Sequence, residues 1–110
     1  MISSVLALVA AASAAQASDP TRSAREAFTT CLRTYVNRSI DAHTTADAFQ
    51  TEYPQQCTTQ EQAFREAVIR RDMAMRATRA SAEESANLEI EDARTNFSER
   101  FAAATTPRSQ

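Results

Sequence analysis

The clearest pattern in the chain begins after Pro20. Ala24, Phe28, Leu32, Tyr35, Val36 and Ser39 recur at the 3.6-residue spacing of one helix face, with Cys31 at its edge. Asp19-Pro20 is a helix start: Asp can accept from free first-turn amides, and Pro at the first helical position loses no hydrogen bond. This first helix should fade between Asp41 and Thr45. Ala46, Phe49 and Tyr53 form a second, shorter stripe. Pro54 should stop it, because the residue before a proline is pushed out of the helical region.

Thr58-Thr59-Gln60-Glu61 then reads as a capping box, Thr followed by Glu three positions on. From there to Ala104 neither Gly nor Pro intervenes. The expectation is one helix of about 45 residues, roughly 65 Å long at the α-helical rise. Glu61–Arg65, Glu66–Arg70 and Asp72–Arg76 are spaced as i,i+4 pairs in the favourable order. The apolar arc is wide from Phe64 to Met75, where Ala67, Val68, Ile69 and Met73 join it, as packing against two helices requires. Beyond Met75 it narrows to Ala82, Ala86, Ile90, Ala93, Phe97 and Phe101, a stripe for a single neighbour. Residues 105–110 should be a frayed tail.

Composition narrows the class. Glycine is absent from all 110 residues and proline occurs three times, so glycine-dependent strand hairpins are disfavoured. Ala, Glu, Gln and Arg, all good helix formers, are abundant, and the expected class is all-α. The net charge is −2, and every basic residue is Arg. No long basic stripe or block of like charge marks a nucleic-acid or membrane-surface patch.

The segment 1–17, MISSVLALVAAASAAQA, carries no charged side chain and ends in Ala15-Gln16-Ala17, small residues where a signal peptidase needs them. It reads as a signal peptide cleaved before Ser18, although its start lacks Lys or Arg. Its apolar run is too short to span a bilayer comfortably. The expected product is periplasmic or secreted, without a stable membrane anchor after cleavage, and 18–104 forms one helical domain.

Export places Cys31 and Cys57 in an oxidising compartment, where a disulfide is expected. The first helix climbs about eleven residues from Cys31 to the turn, and the second segment descends about as far to Cys57, so the thiols should lie level. Closing that loop should stabilise the fold by about 3.5 kcal/mol in the chain-entropy model. The expected architecture is a disulfide-stapled helical hairpin packed on one long C-terminal helix, three helices in all.

Candidate chemistry is sparse. His43, the single histidine, sits in a polar turn near Asp41 and Asp47, short of the ligand set a zinc site needs. Met73 and Met75 project about 200° apart on a helix and cannot share a metal, so at least one should pack in the core. No nucleophile–base–acid constellation is visible. No cofactor, no metal and no catalytic residues are expected, and the chain reads as a non-enzyme.

Thr58-Thr59-Gln60-Glu61-Gln62 is similar to the L-T-x-x-Q motif of the CpxP/Spy group of small periplasmic helical chaperones. Thr59 and Gln62 match the T and Q, Thr58 stands where the leucine would be, and the second copy of the motif is missing. That resemblance implies a chaperone or stress-adaptor role as the alternative function.

The preferred expectation is a binding or structural protein acting through its long helix. Ala82, Ala86, Ile90, Ala93, Phe97 and Phe101 would bind a protein partner or a second copy, because the hairpin is too short to cover them. The intramolecular alternative pairs Arg22 and Arg25 with the acids between Glu83 and Asp92. Intact-mass analysis of protein recovered from the periplasm should give an N-terminus at Ser18; full-length chain in the cytosol would overturn export and most of the case for the disulfide.

Overall fold

The computed structural model describes residues 19–107; residues 1–18, where a signal peptide is expected, and residues 108–110 lie outside it. Among the described residues the protein is all-helical: α1 (Pro20–Asp41), α2 (Ala46–Glu52), α3 (Thr58–Ala74) and α4 (Arg79–Thr105), with a 3₁₀ turn at Tyr53–Gln55 between α2 and α3. Cys31 and Cys57 form a disulfide, their Cα atoms 5.9 Å apart.

α1 starts as its sequence predicts. Asp19 accepts from the Thr21 amide at 3.0 Å, and Pro20 is the first helical residue. Phe28, Leu32 and Val36 are fully buried on its inner face. α2, the 3₁₀ turn and α3 then descend in series along α1. The descent is tracked by Tyr35 near Phe49 (5.9 Å between ring centroids), the disulfide, Phe28 near Phe64 (6.0 Å), and Thr21 Oγ1 donating to the Ala67 carbonyl (3.4 Å). α4 climbs back parallel to α1. Arg25 reaches Glu89 at 2.8 Å, Arg33 lies over the Phe97 ring, and Phe49 stacks on Phe101. In cross-section the bundle has three rods, the descending one broken midway.

The 45-residue helix does not form. It stops at Ala74 and restarts at Arg79, so α3 and α4 are antiparallel neighbours rather than one rod. The stop is a Schellman motif without glycine. The Ala77 amide donates to the Asp72 carbonyl, the Arg76 amide to the Met73 carbonyl, and Arg76 takes φ 71°. Thr78 then caps α4, accepting from the Ser81 amide at 3.1 Å. The α1–α2 connection repeats this construction. Thr44 and His43 amides donate to the Ser39 and Ile40 carbonyls, His43 takes φ 53°, and Thr45 caps α2.

Five smaller expectations are corrected with it. The capping box is absent: Cys57, at φ 61°, precedes α3 and makes no side-chain cap, and Glu61 is drawn instead to Arg94. None of the three i,i+4 pairs forms. Arg65 bonds Asn87, Asp72 bonds Arg71, and Glu66 accepts from Gln62, because α4 and near neighbours offer better-placed partners. Pro54 does not eject Tyr53 from helical geometry (φ −56°, ψ −45°); the chain tightens into the 3₁₀ turn first. Neither Met73 nor Met75 is core, since α3 ends beside them. α4 also extends one residue into the expected tail.

A left-handed residue with a Cβ is strained by about 1 kcal/mol relative to glycine. Arg76→Gly should therefore raise stability by about 0.5–1 kcal/mol, a rise in Tm of several degrees. Thermal unfolding followed by circular dichroism checks this; a lower Tm would mean that the chain does not turn at Arg76.

Candidate binding surface

The stripe assigned to a partner is the inner face of α4. Ala82 and Ala86 are fully buried, Ile90 and Phe101 are 5% and 3% exposed, and all four belong to the core with Phe28, Phe64 and Val68. The two alanines give α4 a small-residue face toward its neighbours. The chain covers these residues itself, and the intramolecular route holds in part: Arg25 of α1 bonds Glu89 of α4, while Arg22 bonds Glu26 within α1. The need for an external cover disappears for Ala82, Ala86, Ile90 and Phe101.

Two interhelix ion-pair sites hold α4 in this register. In the upper one Arg94 donates from Nε to Glu61 (2.6 Å), from Nη2 to the Gln56 carbonyl (2.7 Å) and from Nη1 to the Tyr53 carbonyl (3.3 Å). Tyr53 Oη donates back to the Arg94 carbonyl at 2.7 Å. The guanidinium also lies 5.4 Å from the Phe28 and Tyr53 ring centroids. Burial pushes the Tyr53 phenol up to about 12, against the opposing pull of Arg94.

In the lower site Glu89 accepts from Arg25 (2.8 Å) and Arg71 (3.0 Å), linking all three rods, and Arg71 also holds Asp72. Burial pulls the Arg71 guanidinium down, but the two carboxylates more than reverse it, and its pKa lies above the usual arginine value.

Ala93 and Phe97 are different from the rest of the stripe. They are half-buried and line a groove of about 300 Å³ between the parallel helices α1 and α4. Phe64 forms part of its apolar lining, Arg25 and Thr29 come from α1, and Glu89, Asp92 and Asn96 come from α4. Arg33 lies 5.7 Å from the Phe97 ring centroid. The groove thus joins an apolar strip to charged groups of both signs. A second hollow, about 490 Å³, lies where α2 meets the end of α4, around Phe49, Phe101 and Pro107.

His43 is exposed at the α1–α2 turn, and among the described residues no three His, Cys, Asp or Glu side chains are grouped to hold a metal ion. Thr59 and Gln62 are exposed on the first turns of α3, where Gln62 donates to Glu66. Comparison with known families, curated proteins and solved structures finds no match to this chain.

The Arg94 contacts are only 17% (Arg94) and 23% (Glu61) exposed, so losing them strands a carboxylate and two carbonyls. Arg94→Met should cost about 2–3 kcal/mol. Arg79→Met, at an exposed i,i+4 pair with Glu83, should cost under about 0.5 kcal/mol. Urea unfolding of both variants gives the comparison; equal losses would show that Arg94 is not the clamp.

Proposed function

We propose that this chain is an exported, non-catalytic binding protein that holds polypeptide segments in the groove between α1 and α4. The observation that carries the reading is the partial exposure of Ala93 and Phe97 on a stripe otherwise sealed in the core. An apolar side chain of a partner would cover Phe97 and Ala93. Arg25 and Arg33 on one wall, and Asp92 on the other, suit a partner segment with charges of both signs beside that anchor. Export is supported by the Cys31–Cys57 cross-link, since such bonds persist in oxidising compartments. The binding role narrows from the whole long helix to Ala93, Phe97 and their charged neighbours.

A peptide array carrying apolar anchors flanked by acidic, basic or mixed charges tests this reading. The oxidised protein should prefer aromatic or aliphatic anchors with mixed flanks. Phe97→Ala, a change at a half-buried edge, should weaken that binding about tenfold while leaving helical content unchanged. No preference over a scrambled array, or equal binding by Phe97→Ala, would reject the groove as a polypeptide site.

A further inference from the structure

The end of the bundle where α3 turns into α4 differs chemically from the groove. Met73 and Met75 are exposed there, at 44% and 70%, and the only other large apolar side chain so exposed among the described residues is Leu88 of α4. Met75 also lines a hollow of about 380 Å³ with Pro20, Ala67 and Ala74, beside Arg70 and Arg71. Between positions 70 and 79 the chain carries Arg70, Arg71, Arg76 and Arg79 against a single acid, Asp72. Of the acids close to this end, Asp72 pairs with Arg71, Glu83 with Arg79 and Asp19 with the Thr21 amide, while exposed Glu84 makes no side-chain hydrogen bond or ion pair with a described residue. Arg70 and Arg76 make no side-chain hydrogen bond or ion pair with any described residue. Arg76 stands in the left-handed turn between the helices.

Exposed thioethers beside uncommitted guanidinium groups call for a surface that is apolar inside and anionic at its rim. The headgroup region of an anionic bilayer has that layering. Phosphate oxygens match the guanidinium fork, and the acyl boundary receives the flexible methionines. Pro20, at the start of α1, lines the same hollow as Met75, so the first turn of α1 lies beside this patch. No helix among the described residues is long and apolar enough to cross a membrane, so such a contact is peripheral.

We infer that the α3–α4 turn is a peripheral docking site for an anionic phospholipid surface, with Met73 and Met75 at the acyl boundary and Arg70 and Arg76 on lipid phosphates. The contact uses the opposite end of α3 from the disulfide and does not depend on the α1–α4 groove binding a polypeptide.

The test follows oxidation of Met73 and Met75 by dilute peroxide, read by peptide mass, in the oxidised full chain. This readout is local to the turn, so binding through segment 1–17 alone does not mimic it. Vesicles of phosphatidylglycerol and phosphatidylcholine should slow oxidation about fivefold, with the protection lost at high salt, and pure phosphatidylcholine should slow it less than about twofold. Arg70→Gln combined with Arg76→Gly should restore the lipid-free rate; glycine suits the left-handed position, so the turn is kept. Equal protection by the two vesicle types, or protection unchanged in the double variant, would overturn the proposal. Equal protection by soluble polyglutamate would assign the turn to an acidic protein instead. Lipid-free protection that grows with protein concentration would assign it to a second copy. Either result would also overturn the lipid site.

Discussion

Arg94 is the side chain on which the architecture turns. The descending rod must break near Pro54 to pass from α2 to α3, and a break leaves peptide groups without helical partners. Arg94 reaches across from α4 to the carbonyls of Tyr53 and Gln56, and neutralises Glu61 at the start of α3. One guanidinium therefore bridges the break, fixes the height of α4, and lies against Phe28 of α1. The disulfide ties the same break to α1, at Cys57 with φ 61°. With both ties in place, Phe49 and Phe64 can face α1 from opposite sides of the break.

The parts of the fold visible in sequence were those governed by local chemistry. The start of α1, its buried face, the all-α class and the Cys31–Cys57 pairing follow from capping, periodicity and matched arm lengths. The α3–α4 turn was hidden for two reasons. Arg76 occupies a position usually marked by glycine, in a chain with no glycine at all. The apolar spacing also stays in phase across the turn, from Val68 through Met75 to Ala82, so periodicity carried no sign of the break. The available signals were physical: an apolar stripe with nothing to cover it, acids on α4 facing arginines on α1, and Thr78 placed to cap a helix. Thr45 gave the same capping signal before α2. The Arg94 clamp joins residues 33 to 41 positions apart and had no local signature.

The reversal also redistributes what the surface can do. A continuous rod would have exposed the whole alanine–phenylalanine stripe. In the folded-back arrangement most of that stripe closes the core, and the apolar exposure that the proposed sites use falls in two places, with Leu88 of α4 exposed outside both. Ala93 and Phe97 lie in a groove with charges of both signs, while Met73 and Met75 lie at a turn with uncommitted arginines. The polypeptide site and the lipid site proposed for these places have different chemistry because their charged neighbours differ.

The most direct test of this account is the distance between α3 and α4 in solution. Spin labels placed through ketone-bearing residues at exposed Gln62 and Asp92 leave the disulfide intact, and pulsed electron resonance then measures their separation. The folded-back bundle, with Glu61 in contact with Arg94, predicts a single population below about 25 Å. A population near 45 Å, the span of about 30 residues along one uninterrupted helix, would contradict it.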